Sequence, residues 1–113
     1  MALALNVFKT VTSVVPTSPV GIFTASTGYT GVVLLAQAAN IGSQTRKISL
    51  SHQRTVSGIA VTTEVVKDLP IPASDTANLI AGKLVLETDD ILVISADNAT
   101  DVKFISSILE TLK

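Results

Sequence analysis

Residues 31–52 read GVVLLAQAANIGSQTRKISLSH, and the change of pattern inside them decides the fold class. Gly31 to Ala39 is a near-continuous apolar run no longer than one strand, the mark of a central buried strand. Asn40-Ile41-Gly42-Ser43 follows as a loop. From Thr45 to His52 the chain alternates. Arg46, Ile48, Leu50 and His52 fall on one face, and Thr45, Lys47, Ser49 and Ser51 on the other, which is the period of a half-exposed strand.

Residue types across the whole chain point the same way. There are 14 Val, 10 Ile and 14 Thr, so 38 of 113 residues are β-branched. Such side chains lose χ1 freedom in a helix and pack well on a pleated sheet.

Toward the N-terminus, Leu3 to Val14 alternates as a first strand. Pro16-Thr17-Ser18-Pro19 breaks it, because proline donates nothing to a ladder. Val20 to Thr24 is a second strand, and Ser26-Thr27-Gly28-Tyr29 a turn in which Gly28 supplies a positive φ. Toward the C-terminus, Gly58 to Lys67 alternates, with Ile59, Val61, Thr63 and Val65 opposite Ala60, Thr62, Glu64 and Val66. Leu69-Pro70-Ile71-Pro72 is extended. Asp75 to Ala81 reads as one short helical turn or an irregular crossing segment. Lys83 to Glu87 is a strand, Thr88-Asp89-Asp90 a hairpin loop into the strand Ile91 to Ala96, and Asp97 to Thr100 a second polar turn. Val102 to Leu112 fits either a helical stripe (Val102, Ile105, Ile108, Leu109, Leu112) or a strand buried on both sides. The preceding turn and the β-branched content select the strand.

About eight short strands at intervals of about 8–12 residues make an all-β, two-sheet antiparallel β-sandwich, jelly-roll or immunoglobulin-like. Residues 1–113 are expected to form one domain. Residues 1–15 are either its first strand or an arm that adds to a neighbour's sheet edge.

Charge narrows the function. Eight Lys plus Arg face nine Asp plus Glu, and the longest basic run is the pair Arg46-Lys47, so nothing here neutralises phosphates and nucleic acid is excluded as a partner. Only 15% of residues are charged and 47% are hydrophobic. A domain this small has a large surface to cover, and so few charges suit a subunit that packs against other protein. The absence of cysteine removes disulfides, thiolate nucleophiles and the usual zinc sites. Met1 to Thr10 lacks a basic n-region and is interrupted by Lys9, so no secretion signal is read. Val32 to Ala39 is too short to cross a bilayer.

Candidate chemistry is sparse. His52 is the only histidine and reads as a surface polar residue. Ser51 and His52 point to opposite faces and form no triad fragment. Asp89, Asp90, Asp97 and Asp101 would hold Ca²⁺ only if two loops converged, and their spacing is that of ordinary turn formers. Asn98-Ala99-Thr100 is an incidental glycosylation match. Gly28-Tyr29-Thr30-Gly31 lacks a strand–helix context for phosphate. Phe8, Phe23, Tyr29 and Phe104 are too scattered to stack bases and read as core or interface anchors. No catalytic, cofactor-binding or metal-ligating residue is assigned.

Two stretches carry a resemblance. Ile22-Phe23-Thr24-Ala25, then Thr27-Gly28-Tyr29-Thr30-Gly31 and the run Val32 to Asn40, form the first. Ile71-Pro72-Ala73-Ser74-Asp75, then Gly82-Lys83-Leu84-Val85-Leu86-Glu87 and Asp90 to Ile94, form the second. In order and spacing they resemble the small β-sandwich virion structural proteins of cyanophages and similar tailed phages, over most of the chain from residue 20 onward. The resemblance implies a non-catalytic virion part with no cofactor, made in the host cytoplasm. Its partners would be copies of itself and other virion structural proteins, with no membrane involved and its place in head, neck or tail open. The competing reading is a carbohydrate- or receptor-binding sandwich, against which stands the lack of tryptophan for stacking on sugar rings.

Overall fold

A computed structural model describes residues 6–112. They form nine strands and no helix: β1 (Asn6–Val14), β2 (Val20–Thr24), β3 (Tyr29–Asn40), β4 (Arg46–Val56), β5 (Ile59–Ile71), β6 (Thr76–Asn78), β7 (Leu84–Leu86), β8 (Ile91–Ala96) and β9 (Val102–Leu112). All pairings are antiparallel. One sheet has the order β1-β9-β3-β6, with β7 also on β3, and the other has the order β2-β8-β4-β5.

This order has a simple origin. β1 pairs with β9, β2 with β8, β3 with β6 and β7, and β4 with β5, so the chain is one long antiparallel hairpin folded about residues 57–58. Rolling that hairpin brings β9 onto β3 and β8 onto β4. The product is a jelly roll, in which β6 and β7 share the place of one strand. At the fold-back, Val56 pairs with Ile59 across Ser57 and Gly58, both at positive φ (52° and 80°). That is a two-residue turn of type I′, whose twist matches the flanking strands.

The all-β sandwich expected from the sequence is therefore present, and jelly roll is its topology. Three local expectations are corrected. The turns at 88–90 and 97–100 are not hairpins, since β7 and β9 lie in one sheet and β8 in the other. Asp75 to Ala81 holds no helical turn; Thr76–Asn78 pairs with β3 and the rest crosses irregularly. Val102 to Leu112 is a strand, but buried on one face only, with Ile105 40% exposed. Residues 1–5 of the expected first strand lie outside the described residues. Gly28 has φ 84° as its turn requires.

The core fills the space between the inner faces. Phe104, Val102 and Ile108 from β9 meet Val33 and Ala38 of β3, and opposite them stand Ile48 and Leu50 of β4 with Leu92 and Ile94 of β8. The bulge of β3 between Val33 and Leu35 takes Leu34 out of the ladder, and Ser106 Oγ donates to the Leu35 carbonyl at 2.7 Å. β4 pairs with β8 only as far as Gln53. Beyond it the β4–β5 hairpin runs on alone past the end of the sandwich, with Val56, Ile59 and Val61 exposed. Hence the strand expected over Gly58 to Lys67 forms from Ile59 and is exposed on both faces through Val65, and Val66 then packs against the core.

Candidate functional site

The face of β4 that buries Ile48 and Leu50 carries Arg46 before them and His52 and Arg54 after them. These residues are in phase with the core and meet carboxylates at its two ends. At one end Asp90, 3% exposed at its side chain, is held from three sides. Arg54 donates through Nε (2.9 Å) and Nη2 (2.7 Å), His52 Nε2 lies 2.9 Å away, and the Glu87 amide donates at 2.9 Å. Arg54 also reaches Glu87 at 2.7 Å. The paired hydrogen bonds from Arg54 outweigh burial and hold the Asp90 carboxyl well below the usual range.

Glu110 lies at the same end, on the inner face of β9. Burial raises its pKa, but the Lys9 ammonium at 2.6 Å and the Ser26 amide at 2.9 Å together bring it below its ordinary value. Lys9 also sits 5.7 Å from the centre of the Phe23 ring, within cation–π range. At the opposite end Arg46 Nε donates to Asp101 at 2.8 Å. There the buried Asn40 amide donates to the carbonyls of Gln44 and Ile71, and its oxygen accepts from Gly42 N. These clusters seal the ends of the core, because a buried ion is tolerated only when paired and hydrogen-bonded.

The sequence candidates are thereby placed. His52 is not a surface residue: its side chain is 16% exposed and bound to Asp90. Its inward phase with Ile48 and Leu50 was the available signal. Asp89 and Asp90 precede β8 whereas Asp97 and Asp101 follow it, so the two acidic pairs lie at opposite ends of one strand. Asp89 is a turn residue at φ 71°, and Asp97 accepts from the Lys47 amide. Among the described residues no group of three or more His, Asp or Glu side chains is placed to hold a metal ion. Asn98 Oδ1 accepts from the amides of Thr100 and Asp101 and so builds its own turn. Phe104 is core, Phe23 packs against the core, and Phe8 is 75% exposed. Among the described residues no helix is long and apolar enough to cross a membrane.

With so many charges folded into the ends, the two outer faces differ. That of the β2-β8-β4-β5 sheet carries Ser49, Ser51, Gln53, Thr62, Glu64 and Ser95. Among the described residues, that of the β1-β9-β3 sheet carries Lys103, with Lys83 at its β7 edge beside Leu34 and Leu35. Across it the register aligns Phe8 with Leu109, Leu109 with Val32 and Val32 with Val85, an apolar row spanning four strands. At the other end of the same face is a shallow hollow of about 620 Å³ between Thr12, Val14, Gln37, Ala39 and Ile105.

No family model matches the sequence, and no curated protein matches it either. The fold does match solved structures. A chain of the acid-stable capsid of Helicobacter pylori bacteriophage KHP30 superposes with a TM-score of 0.56 at 14% identity, covering 96% of this chain and 89% of that one. A chain of the T13 particle of IBDV, an icosahedral virus, gives 0.58 at 11% identity, covering 96% of this chain and 31% of that one. A subunit of the disulfide-linked pili that form Bacillus endospore appendages gives 0.51 at 14% identity, covering 100% and 97%. At these identities the likeness is one of fold.

Proposed function

We propose that this chain is a non-catalytic structural subunit of a tailed-phage virion, made in the host cytoplasm and assembled in many copies. The observation that carries the reading is the outer face of the β1-β9-β3 sheet, broad, apolar along one row and sparsely charged, with Lys103 on it and Lys83 at its β7 edge. A face of that kind exposed in water favours association, whereas the ionised groups an active site would need are tied up sealing the core. The fold shared with two virus particles and one pilus supports the reading, since all three chains belong to repeated assemblies. Partners are then copies of the chain itself and other virion structural proteins.

On this reading residues 1–113 work as one unit, and the arm expected at 1–15, which includes β1, is the part able to exchange. β1 is a sheet edge bonded to β9, with most of its side chains exposed. The wholly buried Val15, whose amide donates to the Val102 carbonyl, anchors its C-terminal end. The same ladder made to a neighbour's β9 would link two subunits without any new side-chain contact. Deleting residues 1–14 should leave a folded domain that no longer assembles; loss of folding would mean that β1 is indispensable to its own sheet and is not exchanged. The virion assignment is tested by quantitative mass spectrometry of gradient-purified particles, in which the chain should be present in many copies per particle. Its absence there would overturn the assignment.

A further inference from the structure

The apolar row and the hollow lie on one face at opposite ends of the same strands. Counting along β9, Leu109 stands two residues to one side of Ser107 and Ile105 two residues to the other. On β1, Phe8 and Thr12 flank Thr10, which pairs with Ser107, and on β3 Leu35 completes that row. The face thus carries the apolar row on one side and the hollow on the other, equally spaced about the row Thr10–Ser107–Leu35.

We infer that this face is a contact between two copies of the chain, packed face to face about a two-fold axis that lies across the strands along that row. The inference rests on the reading of the chain as a self-assembling subunit, and names the surface. A rotation about such an axis reverses the strand direction and leaves each strand over its own equivalent. It sets Phe8 over the partner's Thr12, Leu109 over the partner's Ile105, and the row into the hollow, as an isologous contact requires.

Charge agrees. Lys103 is four residues from Ser107 and lands over the row four residues to the other side, Asn6–Thr111–Thr30. It therefore meets hydroxyl and amide groups, and the two Lys103 side chains stay at opposite ends of the contact. Area agrees as well. Four strand positions at about 4.8 Å by nine residues at about 3.4 Å give roughly 600 Å² of flat face. Two copies together bury roughly 1,200 Å² or more, the lower bound for a specific interface. The outer face of the other sheet, with its hydroxyls, Glu64 and Lys67, offers no such self-match.

The test uses the full chain. Sedimentation over a range of concentrations should show a reversible dimer. Phe8→Lys and Leu109→Lys should each raise the dissociation constant at least about 100-fold, because a lone ammonium would be buried against apolar side chains. Far-ultraviolet circular dichroism should show both variants folded; Phe8, on an edge strand and mostly exposed, is the safer of the two. The chain has no cysteine, so Ser107→Cys, on the axis, should give covalent dimers with a short bismaleimide while Ser49→Cys, on the other sheet, gives none. A monomer at every concentration would overturn the inference, as would a dimer indifferent to both lysines or equal crosslinking through Ser49→Cys. Should the chain nevertheless be abundant in purified particles, the structural role stands and only the choice of face fails.

Discussion

Replacing Asp90 by alanine removes the acceptor on which one end of the core depends. In the native protein the carboxylate is almost wholly buried and receives Arg54, His52 and the Glu87 amide. Without it the Glu87 amide loses its acceptor, a penalty of about 1 kcal/mol for a part-buried donor. Removing one member of a buried pair costs about 3–5 kcal/mol when the other stays buried. Arg54 is 41% exposed and can turn toward water, which brings the cost of the lost pair below that range, to about 2 kcal/mol, and the total to about 3 kcal/mol. Unfolding entropy near 2.1 cal/mol/K per residue over the 113 residues gives about 0.24 kcal/mol/K, so the melting temperature should fall by about 12 K at pH 7. The pH dependence is a second signature. Because folding depresses the pKa of Asp90 below its ordinary 3.8, its stabilisation is complete above that value and is lost as pH falls through it toward the folded-state value. The advantage of the native protein over Asp90→Asn should therefore be constant from pH 7 to 5 and shrink below about pH 4. Melts followed by circular dichroism measure both effects. An Asp90→Ala variant melting within 2 K of the native protein would refute the sealing role.

Phe104→Ala empties the largest wholly buried side-chain site and should cost about 3–5 kcal/mol in denaturant titrations. Gly42→Ala would drive a Cβ into the Asp101 carboxylate that pairs with Arg46, and about 1–3 kcal/mol of destabilisation should appear in the same assay. Val61→Lys, on the projecting hairpin, should change stability by less than about 0.5 kcal/mol, because that side chain is exposed and lies outside the core. Melts in calcium and in chelator should coincide; a rise of several degrees with calcium would mean that the native state binds the ion.

The fold was legible in the sequence where local pattern and burial coincide. Alternation through 46–52 located Ile48 and Leu50, both fully buried, and Gly28 marked its turn. What escaped was the sheet to which each strand belongs. A polar turn such as 97–100 has the same composition whether the chain returns to the same sheet or passes to the other, so β8 and β9 looked like a hairpin. Jelly roll and immunoglobulin-like sandwiches share period and turn spacing, and differ only in pairings such as β1 with β9, about a hundred residues apart. The charged network escaped for a related reason. Arg54 and Asp90 are 36 residues apart, with no local signal joining them beyond the inward phase of His52 and Arg54 on β4. The apolar row Phe8–Leu109–Val32–Val85 combines four strands, none of which shows it alone.

The most direct test of the proposed role is a reconstruction at side-chain resolution of the phage particles released by host cells that make this chain. A nine-stranded jelly roll should occupy every symmetry-equivalent position of a head, neck or tail layer, with the faces bearing Phe8 and Leu109 covered by protein. A particle in which no layer contains this domain would contradict a structural role in the virion.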